Sequence, residues 1–273
     1  MAQGHIEIVA EAGINHNGSI KTALELVDAA KDAGADIIKF QTFITEKTIR
    51  MTDPDFEVIK SCELPHQLFK TIAQHCEDAG IEFMSTPDEQ DSLKFLVEEV
   101  GVKRIKIGSA DLLNWDLVSA AMRTGLPLIV STGMATMDEI RSALGGPADY
   151  DFTLLHCVSL YPCPEDAANV AAMDDLSRFG LPVGYSDHTE GYTACLAAAG
   201  RGAVMLEKHF TLDQSQKGPD HKWSANPRDF AAFVRVIRRF ETVLGHGRKE
   251  PGEAERAGIP RLRKTNGLRG LAA

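Results

Sequence analysis

The sequence lacks any apolar run long enough to cross a membrane. Its longest apolar stretches, FVRVIRRF and CLAAAGRGAVML, are interrupted by arginine and fall short of the ~20 residues that a membrane-spanning helix requires. The N-terminal segment MAQGHIEIVAEAG has no basic start followed by a cleavable apolar segment, so it does not resemble a secretory signal. These absences predict a cytoplasmic protein with no membrane partner.

Paired cysteines and excess positive charge are also absent. The chain has 5 cysteines, and none of them is in a Cys-x-x-Cys spacing, which disfavours a disulfide framework or a zinc ribbon and favours a reducing compartment. The formal net charge is −10 at pH 7, so the electrostatic footprint of a nucleic-acid-binding protein is missing. An anionic small substrate would therefore need local cations inside a pocket.

The dominant feature that is present is a strand–helix alternation, repeated eight times. Such alternation predicts βαβ units and a parallel sheet, and eight units in about 250 residues match a (β/α)8 TIM barrel of the α/β class. We expect one barrel domain over residues 1–245 and a basic, Gly/Arg-rich tail over residues 246–273, either exposed or packed on a partner subunit. The strand-like runs begin at Ile6, Ile37, Ile81, Arg104, Pro127, Thr153, Pro182 and Ala203.

Two lysines and a glutamate stand at predicted strand ends, where a TIM barrel gathers its active site. Lys39 and Lys106 are each flanked by strand-forming residues, and lysine is seldom fully buried unless it is paired. Two lysines in one barrel mouth would suit phosphate or carboxylate, and either could form a Schiff base if desolvation lowered its pKa. Glu11 could act as acid, base or sugar-hydroxyl acceptor, or could pair with Lys39.

Hydroxyl groups recur at comparable positions in successive units. Together with glycine backbone N–H groups, they suit the binding of phosphate. No Gly-x-Ser-x-Gly elbow or Walker sequence accompanies them, so serine-hydrolase and P-loop chemistries lack support. The hydroxyl-bearing residues are Ser85, Thr86, Ser109, Ser131, Thr132 and Ser186.

Two histidines end the seventh and eighth runs. His188 and His209 would lie on adjacent strands, close enough to share a divalent metal, although two structural histidines are the alternative. His156 is interpreted as structural or as supporting the site indirectly. Four nearby side chains could complete or orient a metal shell, namely Asp187, Glu207, Asp220 and His221.

Eight segments resemble the sialic acid synthases in order and spacing, over about residues 6–245. That family includes the N-acetylneuraminate synthases, their 9-phosphate counterparts, and the legionaminic and pseudaminic acid synthases. The matching segments are EAGINHNGS, KFQTF, STP, KIGSADLLN, STGMA, LLHCVSLYPCP, GYSDHT and EKHFTLDQSQKGPDH.

The resemblance implies a carbon–carbon bond-forming transferase. It would condense phosphoenolpyruvate with an N-acylhexosamine, such as N-acetylmannosamine, giving a nine-carbon 2-keto sugar acid and phosphate. The implied cofactor is a divalent metal, commonly Mn(II), with Mg(II) or Co(II) as alternatives, and the implied assembly is a homodimer. Other possibilities are condensation with another aldose or aldose phosphate, a Schiff-base aldolase, and a non-catalytic sugar- or phosphate-binding barrel.

The resemblance also implies individual roles. His188 and His209 would hold the metal, and Glu11 would lie near the reacting aldehyde. Tyr161 and Asp220 match positions that touch the acceptor sugar or the metal-bound centre. The phosphoenolpyruvate site would map onto Lys39, Thr86, Lys106, Ser109, Ser131 and Ser186.

Two departures from the family pattern concern the acceptor. Many members carry a C-terminal antifreeze-like domain that supplies an arginine to the N-acetyl group across a dimer, whereas this sequence ends near the place where that domain would start. We expect a barrel without that domain, in which the basic tail from Arg261 to Arg269 is a possible substitute. Asp111 stands where members often have Glu, and a shorter carboxylate would reach less far into the sugar site.

Overall fold

The computed structural model describes residues 4–145, 150–265 and 268–269. Within these ranges, eight parallel strands form a sheet in the order β3-β2-β1-β8-β7-β6-β5-β4, and its two ends, β3 and β4, pack against each other. This arrangement confirms the predicted (β/α)8 barrel. The strands are β1 (Glu7–Gly13), β2 (Ile37–Thr42), β3 (Glu82–Pro87), β4 (Ile105–Ile107), β5 (Leu128–Ser131), β6 (Phe152–His156), β7 (Val183–Asp187) and β8 (Met205–His209).

Helices surround the barrel, and local sequence explains where several of them begin and end. Ser19 caps α1 by accepting the Thr22 N–H, Thr136 and Glu139 form a capping box on α7, and Gly80 ends α4 in the left-handed conformation that favours glycine. The helices are α1 (Ile20–Asp32), α2 (Thr45–Thr48), α3 (Phe56–Cys62), α4 (His66–Ala79), α5 (Gln90–Phe95), α6 (Trp115–Arg123), α7 (Met137–Ala143), α8 (Met173–Leu176), α9 (Thr193–Gly200), α10 (Pro227–Leu244) and α11 (Glu253–Leu262).

Several segments depart from simple βα units. The long polar connection after β2 carries α2 and α3, and a π-helical turn at Leu96–Val100 continues α5. In the predicted tail, α11 has no buried residue, and β9 (Lys264–Thr265) pairs with β10 (Leu268–Arg269). None of the helices in the described ranges is long and apolar enough to span a membrane.

The barrel interior has an apolar floor directly beneath a polar layer. Side chains alternate between the two faces of a strand, so the residue two positions beyond a floor residue also points inward. Val9 is thus followed by Glu11, and Ile37 by Lys39. The floor, buried throughout, consists of Val9, Ile37, Met84, Ile129, Leu155 and Met205. This floor closes the barrel below the predicted site.

Ion pairs connect β3 and β4, the two ends of the sheet order, at the amino-terminal end of the barrel. Arg104 forms bidentate contacts with Glu82 on β3, at 2.7 and 2.9 Å, and with Glu7 on β1, at 2.7 and 2.8 Å. Bidentate arginine–carboxylate pairs fix geometry as well as charge. Arg104 therefore ties together three strands at the point where the strand ladder is interrupted.

We expect Arg104→Met to lower the free energy of unfolding by about 2–3 kcal/mol, because it leaves two carboxylates without their charged partner. Urea denaturation monitored by circular dichroism measures the change. Arg178→Met is the control, since Arg178 is 78% exposed in its pair with Asp175 and exposed pairs contribute about 1 kcal/mol or less. Equal losses of unfolding free energy in the two variants would contradict a role of Arg104 in connecting the strands.

Candidate active site

A cavity of about 450 Å³ opens at the carboxyl ends of the barrel strands. The sequence analysis gave roles to twelve residues through the family resemblance and its departures. All of these except Asp220 line the cavity. Those lining residues are Glu11, Lys39, Thr86, Lys106, Ser109, Asp111, Ser131, Tyr161, Ser186, His188 and His209. Residues from all eight units of the sequence therefore converge on one space, as the fold requires of a barrel active site.

Asp220 lies at the edge of this cavity, on the connection between β8 and α10. Its Oδ2 is 3.8 Å from Nδ1 of His209. Gly13 faces the same place: with φ at +51°, a Cβ on Gly13 would be 3.3 Å from Oε1 of Glu11 and 3.7 Å from Oδ2 of Asp220. Burial raises the pKa of Asp220 to about 6. Asp220 is thus placed to affect His209 and anything bound beside Glu11.

Two buried lysines and two buried glutamates form a charge-balanced group at the base of the cavity. Lys39 Nζ is 2.7 Å from Oε2 of Glu11 and 3.7 Å from Oε2 of Glu207, and Lys106 Nζ is 3.7 Å from Oε1 of Glu207. All four side chains are at most 6% exposed. Each lysine is therefore paired, as burial of a charge demands, and each still borders the open cavity.

The two glutamates of this group differ in their affinity for a proton. Burial raises the pKa of Glu11 to about 7, against the lowering effect of Lys39. Burial would also raise the pKa of Glu207, but Lys106 and Lys39 together outweigh it and hold that pKa at about 2. Neighbouring carboxylates whose pKa values are pushed apart are typical of acid–base sites. Glu11 is the one suited to exchanging a proton near neutral pH.

Hydroxyl groups border both lysines. Lys106 donates to Ser131 Oγ at 2.7 Å, and Lys39 donates to Thr86 Oγ1 at 3.3 Å. Ser109 Oγ accepts the N–H of Gly133 at 3.0 Å. Any side chain at Gly133 would block this region, because its Cβ would lie 2.8 Å from Ser109 Oγ. The result is a cluster of ammonium and hydroxyl donors that suits an anionic group.

The histidines face this cluster from β7 and β8, across the barrel from β3 and β4. Their ring centroids are 5.6 Å apart. Burial lowers the pKa of both rings, and at His209 the neighbouring His188 lowers it further. His188 Nδ1 donates to the Val158 carbonyl at 2.6 Å, so its Nε2 carries a free lone pair. Nδ1 of His209 is buried and has no hydrogen-bond partner in the described part of the chain.

These properties fit a two-histidine metal site. Neutral imidazoles are metal ligands, and a ring nitrogen bonded to a backbone carbonyl is the usual arrangement behind such a ligand. Within residues 4–145, 150–265 and 268–269, no group of three or more His, Cys, Asp or Glu side chains is arranged to hold a metal ion. His188 and His209 are therefore the residues of this chain that would hold a metal.

Tyr161 covers the histidine side of the cavity. Its ring centroid is 4.2 Å from that of His188 and 5.9 Å from that of His209, while 46% of the residue remains exposed. Burial raises the pKa of its phenol, so the hydroxyl keeps its proton at neutral pH. A neutral, half-exposed aromatic group with a hydroxyl can contact a sugar at the mouth of the site.

Some weighed candidates face away from the cavity. Ser85 Oγ bonds to Thr42 Oγ1 and to the Phe40 carbonyl, and Thr132 Oγ1 bonds to the Leu155 carbonyl. Three further candidates also bond to protein groups outside the cavity. His156 bonds to the Ala168 carbonyl, His221 to Thr211, and Asp187 to Lys208. Of the four side chains proposed to complete a metal shell, Glu207 lines the cavity, where it pairs with the lysines.

Besides Gly108 and Ala110, five lining residues were not among the sequence candidates. Gln41 follows Lys39 by two positions on β2, so strand alternation was the missed indication for Gln41. Ser159 lies beyond the end of β6 at His156, where no strand pattern indicates it. The Ser159 hydroxyl is buried and has no hydrogen-bond partner in the described part of the chain, which leaves it available to a ligand. The five residues are Gln41, Asp88, Met134, Cys157 and Ser159.

Comparison with known proteins agrees with this site. The profile of the NeuB family matches residues 26–249. The chain is 42% identical to an N,N'-diacetyllegionaminic acid synthase of Legionella pneumophila over 91% of this chain and 76% of that protein. It is 30% identical to the N-acetylneuraminate-9-phosphate synthase of Homo sapiens, over 94% of this chain and 76% of that protein.

A solved structure shows the same fold in a relative. An N-acetylneuraminic acid synthetase from Leptospira borgpetersenii serovar Hardjo-bovis, crystallised with citrate, superposes with a TM-score of 0.89 at 37% identity, covering 94% of this chain and 91% of that one. A family match over most of the chain, relatives above 30% identity and a shared barrel agree with one another. The chain belongs to the NeuB family, and it is an enzyme of the sialic acid synthase type.

Proposed function

We propose that this enzyme condenses phosphoenolpyruvate with an unphosphorylated N-acylated hexosamine, giving a nine-carbon 2-keto sugar acid and inorganic phosphate. The observation that carries the proposal is the opposition of two clusters in one cavity. Buried lysines and hydroxyls from β2 to β5 occupy one side, and two neutral histidines from β7 and β8 occupy the other. The first suits a dianionic donor, and the second suits the electrophilic acceptor.

The donor side matches the charge of phosphoenolpyruvate. This molecule carries a carboxylate and a phosphate, and the two ammonium groups of Lys39 and Lys106 are the cations nearest the apolar floor. The hydroxyls of Ser109 and Ser131 add donors without charge. Donors held in place before the substrate arrives stabilise its charge without a reorganisation cost. This supports binding of both anionic groups in one fixed orientation.

The reaction would form a carbon–carbon bond between C3 of phosphoenolpyruvate and the aldehyde carbon of the open-chain sugar. A divalent metal held by His188 and His209, with Mn(II) first and Mg(II) or Co(II) as alternatives, would supply Lewis-acid polarisation of the aldehyde oxygen. Glu11 would take a proton from the water that adds to the cationic C2. That proton would pass to the oxygen of the former aldehyde, which becomes a hydroxyl. The C2–O bond to phosphate would then break as the proton of the new C2 hydroxyl leaves with the phosphate, giving the 2-keto acid and free phosphate.

Other residues of this chain would orient the reactants and limit water. Lys39 and Lys106 would hold phosphate and carboxylate, which turns the bond-forming step into one between fixed partners. The floor beneath them is fully apolar and closed. Tyr161 stands over the histidines at the mouth. Water can thus enter from the mouth alone, where the acceptor itself would sit.

The acceptor is assigned from charge and from relatives. Lys39 and Lys106 are the only lysines or arginines among the described residues that line the cavity, and both are already paired with glutamate. A second phosphate would have no cation of its own, which supports an unphosphorylated sugar. Two relatives, 42% and 36% identical, are N,N'-diacetyllegionaminic acid synthases, which supports an acceptor with N-acetyl groups. Assembly as a homodimer stays a prediction.

Phosphate release from phosphoenolpyruvate tests the proposal. The assay contains Mn(II) and one acceptor at a time: N-acetylmannosamine, its 6-phosphate, or a 2,4-diacetamido-2,4,6-trideoxyhexose, each with and without chelator. We expect chelator-sensitive release with an unphosphorylated acceptor and a keto-acid product of matching mass. Preference for the 6-phosphate would move the assignment to a sugar phosphate. Inactivation by borohydride with a keto substrate would instead indicate a Schiff base on lysine.

A further inference from the structure

We propose that a buried ion pair outside the catalytic cavity, between Asp187 and Lys208, positions His188 and His209 for their metal. The proposal rests on the metal use included in the proposed function. It gives a positioning role to two residues that lie outside the cavity proposed for substrate and metal. Asp187 is 1% exposed and Lys208 is 5% exposed, and neither lines the catalytic cavity.

The two residues immediately precede the two histidines. Asp187 and Lys208 are Cα partners in the parallel ladder between β7 and β8. Since successive side chains of a strand point to opposite faces, the histidines face the cavity while the ion pair faces the helix layer. The pair therefore lies directly behind the metal site, separated from it by the backbone alone.

The contacts of the pair bracket His188. Lys208 Nζ donates to Asp187 Oδ2 at 2.7 Å and to the Thr189 carbonyl at 2.8 Å. Asp187 Oδ1 accepts the Thr189 N–H at 2.9 Å and the Thr189 hydroxyl at 2.8 Å. Cys195 Sγ donates to Asp187 Oδ2 at 3.2 Å. The residue before His188 and the residue after it are thus both fixed to the strand that carries His209.

Apart from the backbone ladder between β7 and β8, which reaches Asp187 and Lys208, the hydrogen bonds of the two histidine carbonyls do not connect the histidines with each other. The His188 carbonyl accepts the Cys163 N–H at 2.8 Å, and the His209 carbonyl accepts the Ala225 N–H at 2.8 Å. Those bonds tie each strand end to a different loop. Lys208 instead connects one strand end with the other. Because both imidazoles would bind the metal, a change in their separation would weaken its binding.

A purely structural ion pair would behave differently. Replacing both members of a buried pair by uncharged residues is often close to neutral for stability, whereas removing one member leaves a buried charge without compensation. A double variant can therefore remove the tie while keeping the fold. The chain also offers a matched ion pair at the opposite end of the barrel, where Arg104 joins Glu7 and Glu82.

The test compares Asp187→Asn/Lys208→Met with Arg104→Met. Metal-free protein is titrated with Co(II), followed by visible absorption, and with Mn(II), followed by electron paramagnetic resonance, and unfolding is measured in parallel. We expect the dissociation constant of the double variant to rise ten- to hundredfold, the usual effect of losing support behind a metal ligand. Arg104→Met should keep the wild-type constant despite its lower stability. Thr189→Val, which removes the hydroxyl contact with Asp187 and leaves both charges of the pair in place, is the second variant if the double one does not fold.

A metal-free readout separates this inference from the proposed function. Long-range proton–nitrogen spectra of the wild type should show His188 protonated on Nδ1, because that nitrogen donates to Val158. In the double variant we expect a mixture of tautomers. A folded double variant with the wild-type metal affinity and the wild-type His188 tautomer would overturn the positioning role. Wild-type protein without metal affinity would count against the proposed metal, and the ring spectrum would then decide positioning.

Discussion

Replacing Glu11 by glutamine is expected to lower kcat by about 10²- to 10⁴-fold, the range that a positioned proton-transfer group contributes. The amide keeps the shape and can still accept a hydrogen bond from Lys39, which lies 2.7 Å from the carboxylate in the wild type. It cannot accept the proton of the attacking water. We therefore expect the KM for phosphoenolpyruvate to change far less than kcat. Initial rates of phosphate release measure both constants.

The pH profile gives this prediction a definite sign. Burial raises the pKa of Glu11 to about 7, and a base is active only when ionised. The wild-type kcat/KM should therefore rise with pH up to about 7 and then level off, since this ratio reports the pKa values of the free enzyme. In Glu11→Gln the residual rate should be flat over the same interval. An unchanged acidic limb in the variant would assign that limb to another group.

The contribution of Glu11 to the stability of the wild type should fall as pH rises, whereas the activity should increase. Because the pKa of Glu11 is raised on folding, the folded state holds the proton between about pH 4.5 and 7 more tightly than the unfolded chain. The resulting stabilisation is fully present below the unfolded value and is lost as pH rises through the folded one. Glutamine needs no proton to stay neutral. Between pH 5 and pH 8, the difference in urea stability between Glu11→Gln and the wild type should therefore change in favour of the variant.

Strand alternation decided how far the sequence could locate this site. Strand ends could be placed because β-branched runs stop at polar clusters, so Glu11 and Lys39 were found. The face of each residue was harder, because both faces of a parallel barrel strand are buried and read as continuously apolar. Ser85 and Thr86 are adjacent, and only Thr86 lines the cavity. Thr132 and Ser131 are likewise adjacent, and only Ser131 lines the cavity.

Ion pairs between residues far apart in the sequence were the second feature that the sequence alone could not predict. Glu207 was weighed as part of a metal shell, yet it pairs with Lys39 and Lys106 across the barrel. Its role depends on which side chains meet inside a closed sheet, and spacing along the chain does not encode that. Asp220 lies on a connection without periodicity, so the sequence suggested it only by its nearness to the histidines, and the family resemblance added a role beside the acceptor sugar or the metal-bound centre. The Asp187–Lys208 pair became visible only when β7 and β8 were seen side by side.

The second large effect concerns the histidines. His209→Asn is expected to lower the metal-dependent rate by about 10³-fold or more, because Lewis-acid activation supplies several kcal/mol and each 1.36 kcal/mol is a factor of ten. Chelator should abolish wild-type phosphate release, and Mn(II) should restore it. In the variant, added Mn(II) should restore little, since one of two protein ligands is missing. Metal content after gel filtration and phosphate release measure the two effects.

His156→Asn is the matched control for this experiment. His156 is also a buried histidine at a strand end, on β6, but its Nε2 bonds to the Ala168 carbonyl at 3.0 Å and it does not line the cavity. Loss of a buried ring there should lower stability while leaving metal content and its activation of the rate intact. If both variants lost metal equally, the loss would report on barrel integrity. A loss confined to His209→Asn would tie the metal to the cavity face of β8, opposite the lysines proposed to bind the donor.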